Sequence, residues 1–138
     1  MKKIIAFLAI IVTATIGMAQ SLPTDAVQFI GTFFPDHQIQ NVAQNSSSPE
    51  LTYRAELDSD ITIWFDNNGA WKMVESSGSD ISQLLSAKQK ESIEGQGLNP
   101  SNVLNIKKKE DRTVLVVFND GYACLLDAAG NFLRKVNL

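Results

Sequence analysis

The sequence is poor in the residues from which most catalytic and metal sites are built. Its 138 residues include one histidine, His37, and one cysteine, Cys124. One histidine excludes a multi-histidine metal site, and we expect no Ser–His or Cys–His catalytic pair. The single cysteine excludes an internal disulfide, so stability must come from packing. We therefore expect a protein that is not an enzyme and that holds no metal or cofactor.

Positive charge is also scarce. The chain has 12 basic residues against 15 acidic ones, which gives a net charge of −3 at pH 7. An acidic balance offers no electrostatic reason to bind nucleic acid or anionic lipid.

The one long apolar run lies at the start of the chain. Ile4–Ile16 follows the basic Met1-Lys2-Lys3 and precedes the small residues of Gly17-Met18-Ala19. The run is too short to span a bilayer comfortably, and this order of segments is typical of a secretory signal peptide. We predict that residues 1–19 are cleaved off after Ala19. The mature protein is then periplasmic or secreted, with no membrane attachment.

The most informative stretch is Tyr53–Val74. Apolar and polar residues alternate over 53–57 and again over 61–65, which predicts two half-buried strands joined as a hairpin. Asp66-Asn67-Asn68-Gly69 supplies residues that tolerate positive φ, and a third strand follows. The same pattern recurs without a gap 61 residues later, where Gly130 takes the place of Gly69. This recurrence predicts an internal repeat.

Each half of the chain begins with a helical pattern. Leu22-Pro23-Thr24-Asp25 places proline and an acidic residue where helices start. The residues expected to face inward from this helix are Leu22, Ala26, Phe29, Ile30 and Phe33. After the linker Ser76-Ser77-Gly78-Ser79, a second helix starts either near Asp80 or at the capping box Ser86-Ala87-Lys88-Gln89.

A further strand precedes each hairpin, at Gln38–Gln44 and from Val103 onward. Ile39 and Val42 break strict alternation, and a β-bulge would explain this. We predict an α+β fold, a duplicated unit of one helix plus a four-stranded antiparallel sheet, with the helices on one face of two sheets or of one continuous sheet. The two repeats cover residues 20–75 and 76–138 within one compact domain.

Four features that resemble reactive or ligand sites are better explained structurally. His37 lies in a predicted turn, where we expect it to be solvated and without partners. Cys124 falls on the inward side of a strand, so we expect a buried, unreactive thiol. The turn at Asp66 lacks the full ligand set of a calcium loop. Lys107-Lys108-Lys109 is followed at once by acidic residues, which predicts a solvated hairpin turn beginning at Lys107.

The sheet face opposite the helices differs between the two halves. In the first half it presents Arg54, Glu56, Thr62 and Trp64. In the second half it presents Leu115, Val117, Ala123 and Leu125. Leaving these apolar side chains in water forgoes roughly 25 cal/mol per Å² of burial, so we expect something to cover them. The cover is a partner protein, a second copy of the chain, or the chain itself, for example its residues 135–138.

These faces give the candidate partner-binding residues. Trp64 would be the aromatic anchor, with Arg54 and Glu56 as its polar rim. In the second half the candidates are the apolar residues Leu115, Val117 and Leu125.

Several motifs resemble a known family. Leu22-Pro23, Phe34-Pro35, and above all the segment Trp64-Phe65-Asp66-x-x-Gly69-x-Trp71 are similar to the PepSY-like domain of exported Bacteroidetes proteins, which is described as beta-lactamase-inhibitor-like. The second half departs from this pattern, with Leu126 and Phe132 in place of Phe65 and Trp71. The resemblance implies a fold and an expectation of protein binding or peptidase regulation. The resemblance does not assign an inhibitory contact to any residue of this sequence.

We therefore expect an exported, non-catalytic binding module that recognises an envelope or secreted protein through its open sheet face. A peptidase is one such partner, and pairing into a homodimer is another use of the face. The alternative is a carrier of a small apolar or peptidic ligand, held between the helices and the sheet.

Overall fold

The computed structural model describes residues 22–45 and 48–137, so the predicted signal peptide lies outside the described residues. The helices are α1 (Thr24–Phe33) and α2 (Ala87–Gly95). The strands are β1 (Ile39–Gln44), β2 (Tyr53–Leu57), β3 (Ile61–Phe65), β4 (Trp71–Ser76), β5 (Val103–Lys108), β6 (Val114–Phe118), β7 (Ala123–Leu126) and β8 (Phe132–Val136). Within these ranges, neither helix is long and apolar enough to cross a membrane.

The strands form one eight-stranded antiparallel sheet whose spatial order follows the sequence from β1 to β8. This confirms the predicted α+β class. The register of β1 on β2 shifts between Ile39 and Asn41, which confirms the predicted bulge. The register of β5 on β6 shifts in the same way between Val103 and Asn105.

The chain divides into two compact units, the first ending at Lys72 and the second beginning at Met73. Each unit has its own apolar core. The buried apolar residues of the first unit are Leu22, Ala26, Ile30, Phe34, Ile39, Ala55, Leu57, Ile61, Ile63 and Phe65. Those of the second unit are Val74, Ile81, Leu85, Ile93, Val103, Ile106, Val114, Val116, Phe118, Ala123, Cys124, Leu125 and Leu126.

Helix α1 starts and ends close to the predicted positions. Pro23 precedes it in an extended conformation, where the missing N–H of proline costs no helical hydrogen bond. Phe34 leaves the helix with φ −131° and ψ 55° and becomes part of the core. The prediction that Phe33 faces inward is wrong, because its side chain is 37% exposed. Phe34 fills the inward position, while Phe33 packs against Phe29 with ring centroids 4.9 Å apart.

Helix α2 starts at the second of its two predicted positions. Ser86 Oγ accepts a hydrogen bond from the N–H of Gln89 at 3.1 Å, and Gln89 Oε1 accepts one from the N–H of Ser86 at 2.8 Å. Both members of the capping box are therefore formed. Asp80 lies before the short 3₁₀ turn at Ser82–Leu84, and its Oδ1 accepts a hydrogen bond from the N–H of Ser82 at 2.8 Å.

The turn between β3 and β4 is held by one carboxylate. Asp66 Oδ1 accepts from the N–H groups of Asn68 and Ala70, at 2.9 and 3.0 Å. Gly69 follows with φ of +89° and lies against the start of α1. A Cβ atom on Gly69 would lie 3.0 Å from Cβ of Pro23 and 3.2 Å from a backbone nitrogen of the helix. The glycine therefore permits both the turn and the close approach of α1.

The turn between β7 and β8 repeats this geometry in the second unit. Asp127 Oδ1 accepts from the N–H groups of Ala129 and Asn131, at 3.0 and 2.8 Å. Gly130 has φ of +95°, and a Cβ atom there would lie 3.3 Å from the backbone nitrogen of Gln89 in α2. Each unit thus holds the start of its helix against the glycine of its own Asp-x-x-Gly turn.

The β5–β6 turn is shorter than the sequence suggested. Strand β5 extends to Lys108, and the turn begins only at Lys109, whose N–H donates to the carbonyl of Thr113 at 2.9 Å. The prediction that Lys107 opens the turn is therefore wrong. Ladder pairing with β6 continues through two of the three lysines.

Candidate functional site

Arg54, Glu56 and Trp64, the predicted polar binding residues, lie on one face of the β2–β3 hairpin. Arg54 pairs directly with Trp64 on β3 and with Ala43 on β1. Directly paired residues project from the same face of a sheet, so Ala43, Arg54 and Trp64 form a row across three strands. We call Ala43, Arg54, Glu56 and Trp64 the Arg54–Trp64 surface.

Glu56 connects this surface to the next row of side chains. Its carboxylate lies 3.5 Å from Nε of Arg54 and accepts a hydrogen bond from Nδ2 of Asn41 at 3.3 Å. The side chains of Arg54 and Glu56 are 44% and 41% exposed, so the pair is well solvated. Such an ion pair contributes about 0–1 kcal/mol to stability.

A pocket of about 210 Å³ opens on this surface. It is lined by Arg54 and Trp64, by the small or apolar Ala43 and Leu51, and by uncharged polar residues including Thr52. Arg54 carries the only formal charge among these lining residues. Trp64 is half-buried, so part of its ring remains available to a ligand. The pocket therefore combines an aromatic surface with a guanidinium group, and it suits an apolar group next to an anion.

The apolar candidates of the second unit also share one face. Leu115 pairs with Leu125, and Val117 pairs with Ala123. Leu125 is only 6% exposed and Ala123 is fully buried, while Leu115 and Val117 are half-buried. The face is therefore less exposed than four apolar side chains on an open sheet would be.

The C-terminal residues reach this face in part: Val136 pairs with Ala123 and so projects from the same face, whereas Lys135 does not. Lys135 pairs with Cys124, so its side chain projects from the face opposite Leu125. Its Nζ lies 4.9 Å from the ring centroid of Tyr122, a cation–π contact. Residue 138, also part of the predicted cover, lies outside the described residues.

His37 is not the solvated, unpartnered residue that the sequence suggested. Its Nδ1 lies 2.6 Å from Oδ1 of Asp58, and the His37 side chain is 24% exposed. Asp58 also accepts from the N–H of Gln38 at 3.3 Å, and its own N–H donates to the carbonyl of Gln38 at 3.1 Å. The register of β1 on β2 brings the residues before β1 next to the β2–β3 turn. This contact therefore joins the residues before β1 to the β2–β3 turn.

Cys124 is buried, as predicted. Its side chain is fully inaccessible, and burial raises the pKa of its thiol to about 11. The thiol therefore stays protonated and unreactive at neutral pH.

The described residues do not form a candidate metal site. They contain no group of three or more His, Cys, Asp or Glu side chains placed to hold a metal ion. Asp66, the residue that resembles a calcium ligand, uses Oδ1 to accept two backbone hydrogen bonds.

Periodicity correctly placed Arg54, Glu56 and Trp64 on one face but missed the pocket beside them. Leu51 and Thr52 belong to an irregular loop, whose side-chain directions follow no period. Ala43 is small and lies next to Arg54 only because of the β1–β2 register. Its small size on the open face is the one sequence signal that could have indicated the pocket.

The chain matches one family model, and its fold is similar to those of several solved structures. The family model of beta-lactamase-inhibitor-like, PepSY-like domains matches residues 51–134. A proposed calcium-regulated periplasmic protein from Bacteroides thetaiotaomicron has 20% identity and a TM-score of 0.72, over 86% of this chain and 92% of its own. A proposed periplasmic protein of unknown function from Bacteroides vulgatus has 17% identity and a TM-score of 0.69, over 86% and 94%. A second B. vulgatus protein, of the DUF2874 family, has 20% identity and a TM-score of 0.67, over 86% and 92%. No curated protein matches the chain significantly.

Proposed function

Because this chain belongs to the beta-lactamase-inhibitor-like, PepSY-like family, we propose that it is an exported, non-catalytic module that binds another protein through its Arg54–Trp64 surface. The observation that carries this proposal is the direct pairing of Arg54 with Trp64 beside a pocket of about 210 Å³. Tryptophan and arginine are the residue types that most often dominate the free energy of protein–protein binding.

The surroundings of the pair support the same role. Glu56 and Asn41 form a solvated polar border through hydrogen bonds and an ion pair, as in the rim of a protein interface. The three strands fix the backbone beneath the pair, so little order has to be gained on binding. The partner we propose is an envelope or secreted protein, with a peptidase as one candidate class.

The non-catalytic role that we propose is supported by Cys124, which is buried and whose thiol pKa is raised to about 11 by that burial. The relative from B. thetaiotaomicron is proposed to be calcium-regulated. In this chain Oδ1 of Asp66 accepts two hydrogen bonds within its own turn, so the proposed function includes no calcium regulation.

Export is proposed from the first 19 residues together with the periplasmic description of the similar structures. Cleavage after Ala19 would release the mature protein to the periplasm or beyond.

We also propose that residues 20–75 and 76–138 arose by duplication of one helix-plus-four-strand unit. Support comes from the matching bulges in β1 and β5 and from the two Asp-x-x-Gly turns, each packed against the start of a helix. In the second unit Leu125 stands where the first has Trp64, so the binding surface would belong to one unit alone.

The function is tested by affinity capture from the envelope fraction of the native host. The bait is the mature chain from Gln20, compared with Trp64→Thr, which keeps a residue suited to a strand. Leu133→Ser is the matched control, because Leu133 is 48% exposed and lies outside the Arg54–Trp64 surface. Circular dichroism first establishes that all three baits are folded.

We expect a protein that is retained by the wild type and by Leu133→Ser and lost with Trp64→Thr. Equal retention by all three folded baits would contradict the proposal. If no protein is retained and native mass spectrometry finds a co-purifying small molecule, the carrier function is favoured instead. Retention of the chain itself would identify a homodimer.

A further inference from the structure

The two edges of the sheet are protected to different degrees. β1 and β8 are the end strands. The exposed Arg134 and Lys135 lie on β8, and charged side chains of this kind discourage the pairing of a further strand. β1 reads Ile-Gln-Asn-Val-Ala-Gln and carries neither a charge nor a proline. Beyond its bulge between Ile39 and Asn41, β1 is therefore the edge on which another strand can add.

The backbone of β1 presents hydrogen-bonding groups at defined positions. The N–H of Asn45 donates to the carbonyl of Thr52 at 2.6 Å, so this pair bonds across to β2. In an antiparallel ladder the direction alternates from one residue to the next. The N–H and C=O groups of Val42 and Gln44 therefore point away from β2. An added strand would pair with these two residues.

The Arg54–Trp64 surface lies next to this edge. Ala43, between Val42 and Gln44, is the outermost residue of the Ala43–Arg54–Trp64 row. Its methyl side chain leaves the space that forms the pocket. A residue opposite Ala43 on an added strand would project from the same face, towards Arg54.

The positive charge of the pocket favours an acidic side chain at the position of the added strand that lies opposite Ala43. Arg54 is its only charged lining residue. Glu56 lies near Nε of Arg54, which leaves the two terminal nitrogens as donors. Among unmodified protein side chains, a carboxylate is the group that a guanidinium binds most strongly, and the adjacent Trp64 ring accommodates the methylene groups that carry it.

Resting on the proposed function, we infer that the partner contributes an extended segment that adds to the β1 edge, with an Asp or Glu opposite Ala43 bound by Arg54 beside Trp64. Backbone pairing with Val42 and Gln44 supplies sequence-independent affinity, and the carboxylate supplies selectivity.

The test uses displayed random peptides of about seven residues, a length typical of one strand. Selections are run in parallel on the mature wild type, Arg54→Gln and Arg54→Lys, each verified as folded by circular dichroism. We expect wild-type selection to enrich Asp or Glu at one position by about tenfold, because the charge-assisted bond is absent for other residues. Arg54→Gln should abolish this enrichment, and Arg54→Lys should retain part of it.

A second measurement tests strand addition directly. Each amide of the best peptide is N-methylated in turn, and affinity is measured by titration. We expect losses of about tenfold at alternate residues only, since every second N–H faces β1. The inference is overturned if no peptide is enriched, if the acidic preference persists in Arg54→Gln, or if the losses do not alternate. If Trp64→Thr loses a captured protein while Arg54→Gln keeps it, the binding function stands and this mode of binding fails.

Discussion

Replacing glycine by alanine at three turn positions measures how much the contact between turn and helix contributes. Gly69, Gly130 and Gly121 all have positive φ, at +89°, +95° and +85°. Alanine at any of them incurs the left-handed backbone penalty of about 1–2 kcal/mol. The three sites differ in what a new methyl group would meet. Nothing lies within 4 Å of it at Gly121, so that variant reports the backbone penalty alone.

At Gly69 the methyl group would lie 3.0 Å from Cβ of Pro23 and 3.2 Å from the backbone nitrogen of Ala26. Neither atom can rotate away, so overpacking adds roughly 1–3 kcal/mol and brings the total to roughly 2–5 kcal/mol. At Gly130 the nearest atom is Cγ of Lys88 at 3.0 Å, which is more easily displaced. We expect Gly130→Ala to fall between the other two.

The measurement is the free energy of unfolding from urea titrations followed by circular dichroism. For Gly69→Ala, tryptophan fluorescence gives a second signal, because Trp64 and Trp71 both precede Met73 and so belong to the first unit. The losses should rank Gly121→Ala, then Gly130→Ala, then Gly69→Ala as the largest. If Gly69→Ala costs no more than Gly121→Ala, the close seating of α1 on the turn does not stabilise the fold, and the reasoning is refuted.

Three further predictions concern single side chains. His37→Ala should lower the free energy of unfolding by about 1 kcal/mol. A double-mutant cycle with Asp58→Ala should give a coupling energy of about 0.5–1 kcal/mol. Additive losses would show that the His37–Asp58 contact contributes nothing. In the folded protein at pH 8, Cys124 should react with a thiol reagent at least about 100-fold more slowly than in urea-unfolded protein. The reason is that a pKa raised from 9.0 to about 11 lowers the fraction of thiolate by about that factor. Comparable rates would contradict the burial of Cys124. Hydrogen bonds from Asn131 and Ala129 hold the pKa of Asp127 below its ordinary value of 3.8, so the carboxylate stabilises the fold above that pH and the contribution is lost as the pH falls through the lower folded value. Asp127→Asn should therefore be less stable than the wild type at pH 7 and lose that difference in acid, whereas a difference independent of pH would exclude this origin.

Most of the secondary structure follows from local signals in the sequence. The alternation from Tyr53 to Phe65 fixes which residues face the core, because strand side chains alternate strictly. The break in alternation at Ile39 indicated the bulge, and Ser86 with Gln89 indicated the start of α2 by capping chemistry. Each of these signals lies within a few residues of the structure that it predicts.

The errors arise where contacts join residues far apart in sequence. His37 finds Asp58 because two strands of defined register end beside each other, and no local pattern encodes that register. Phe33 continues the helical period, yet the chain turns at Phe34, which takes the buried position instead. The pocket beside Trp64 likewise depends on Ala43, two strands away.

The glycine turns also bear on how a duplicated unit can change its sequence. Near the start of each helix, one backbone nitrogen lies against the turn glycine. This nitrogen belongs to Ala26 in α1 and to Gln89 in α2. Three residues later, Phe29 stacks on Trp71 in one unit, whereas Ser92 donates a hydrogen bond to the carbonyl of Gly130 in the other. An aromatic contact and a hydrogen bond thus secure equivalent points of the two helices. Once backbone geometry anchors one end of a helix, the contacts along the rest of it can change from apolar to polar. The two halves can then acquire different surfaces while keeping the same arrangement of helix and turn.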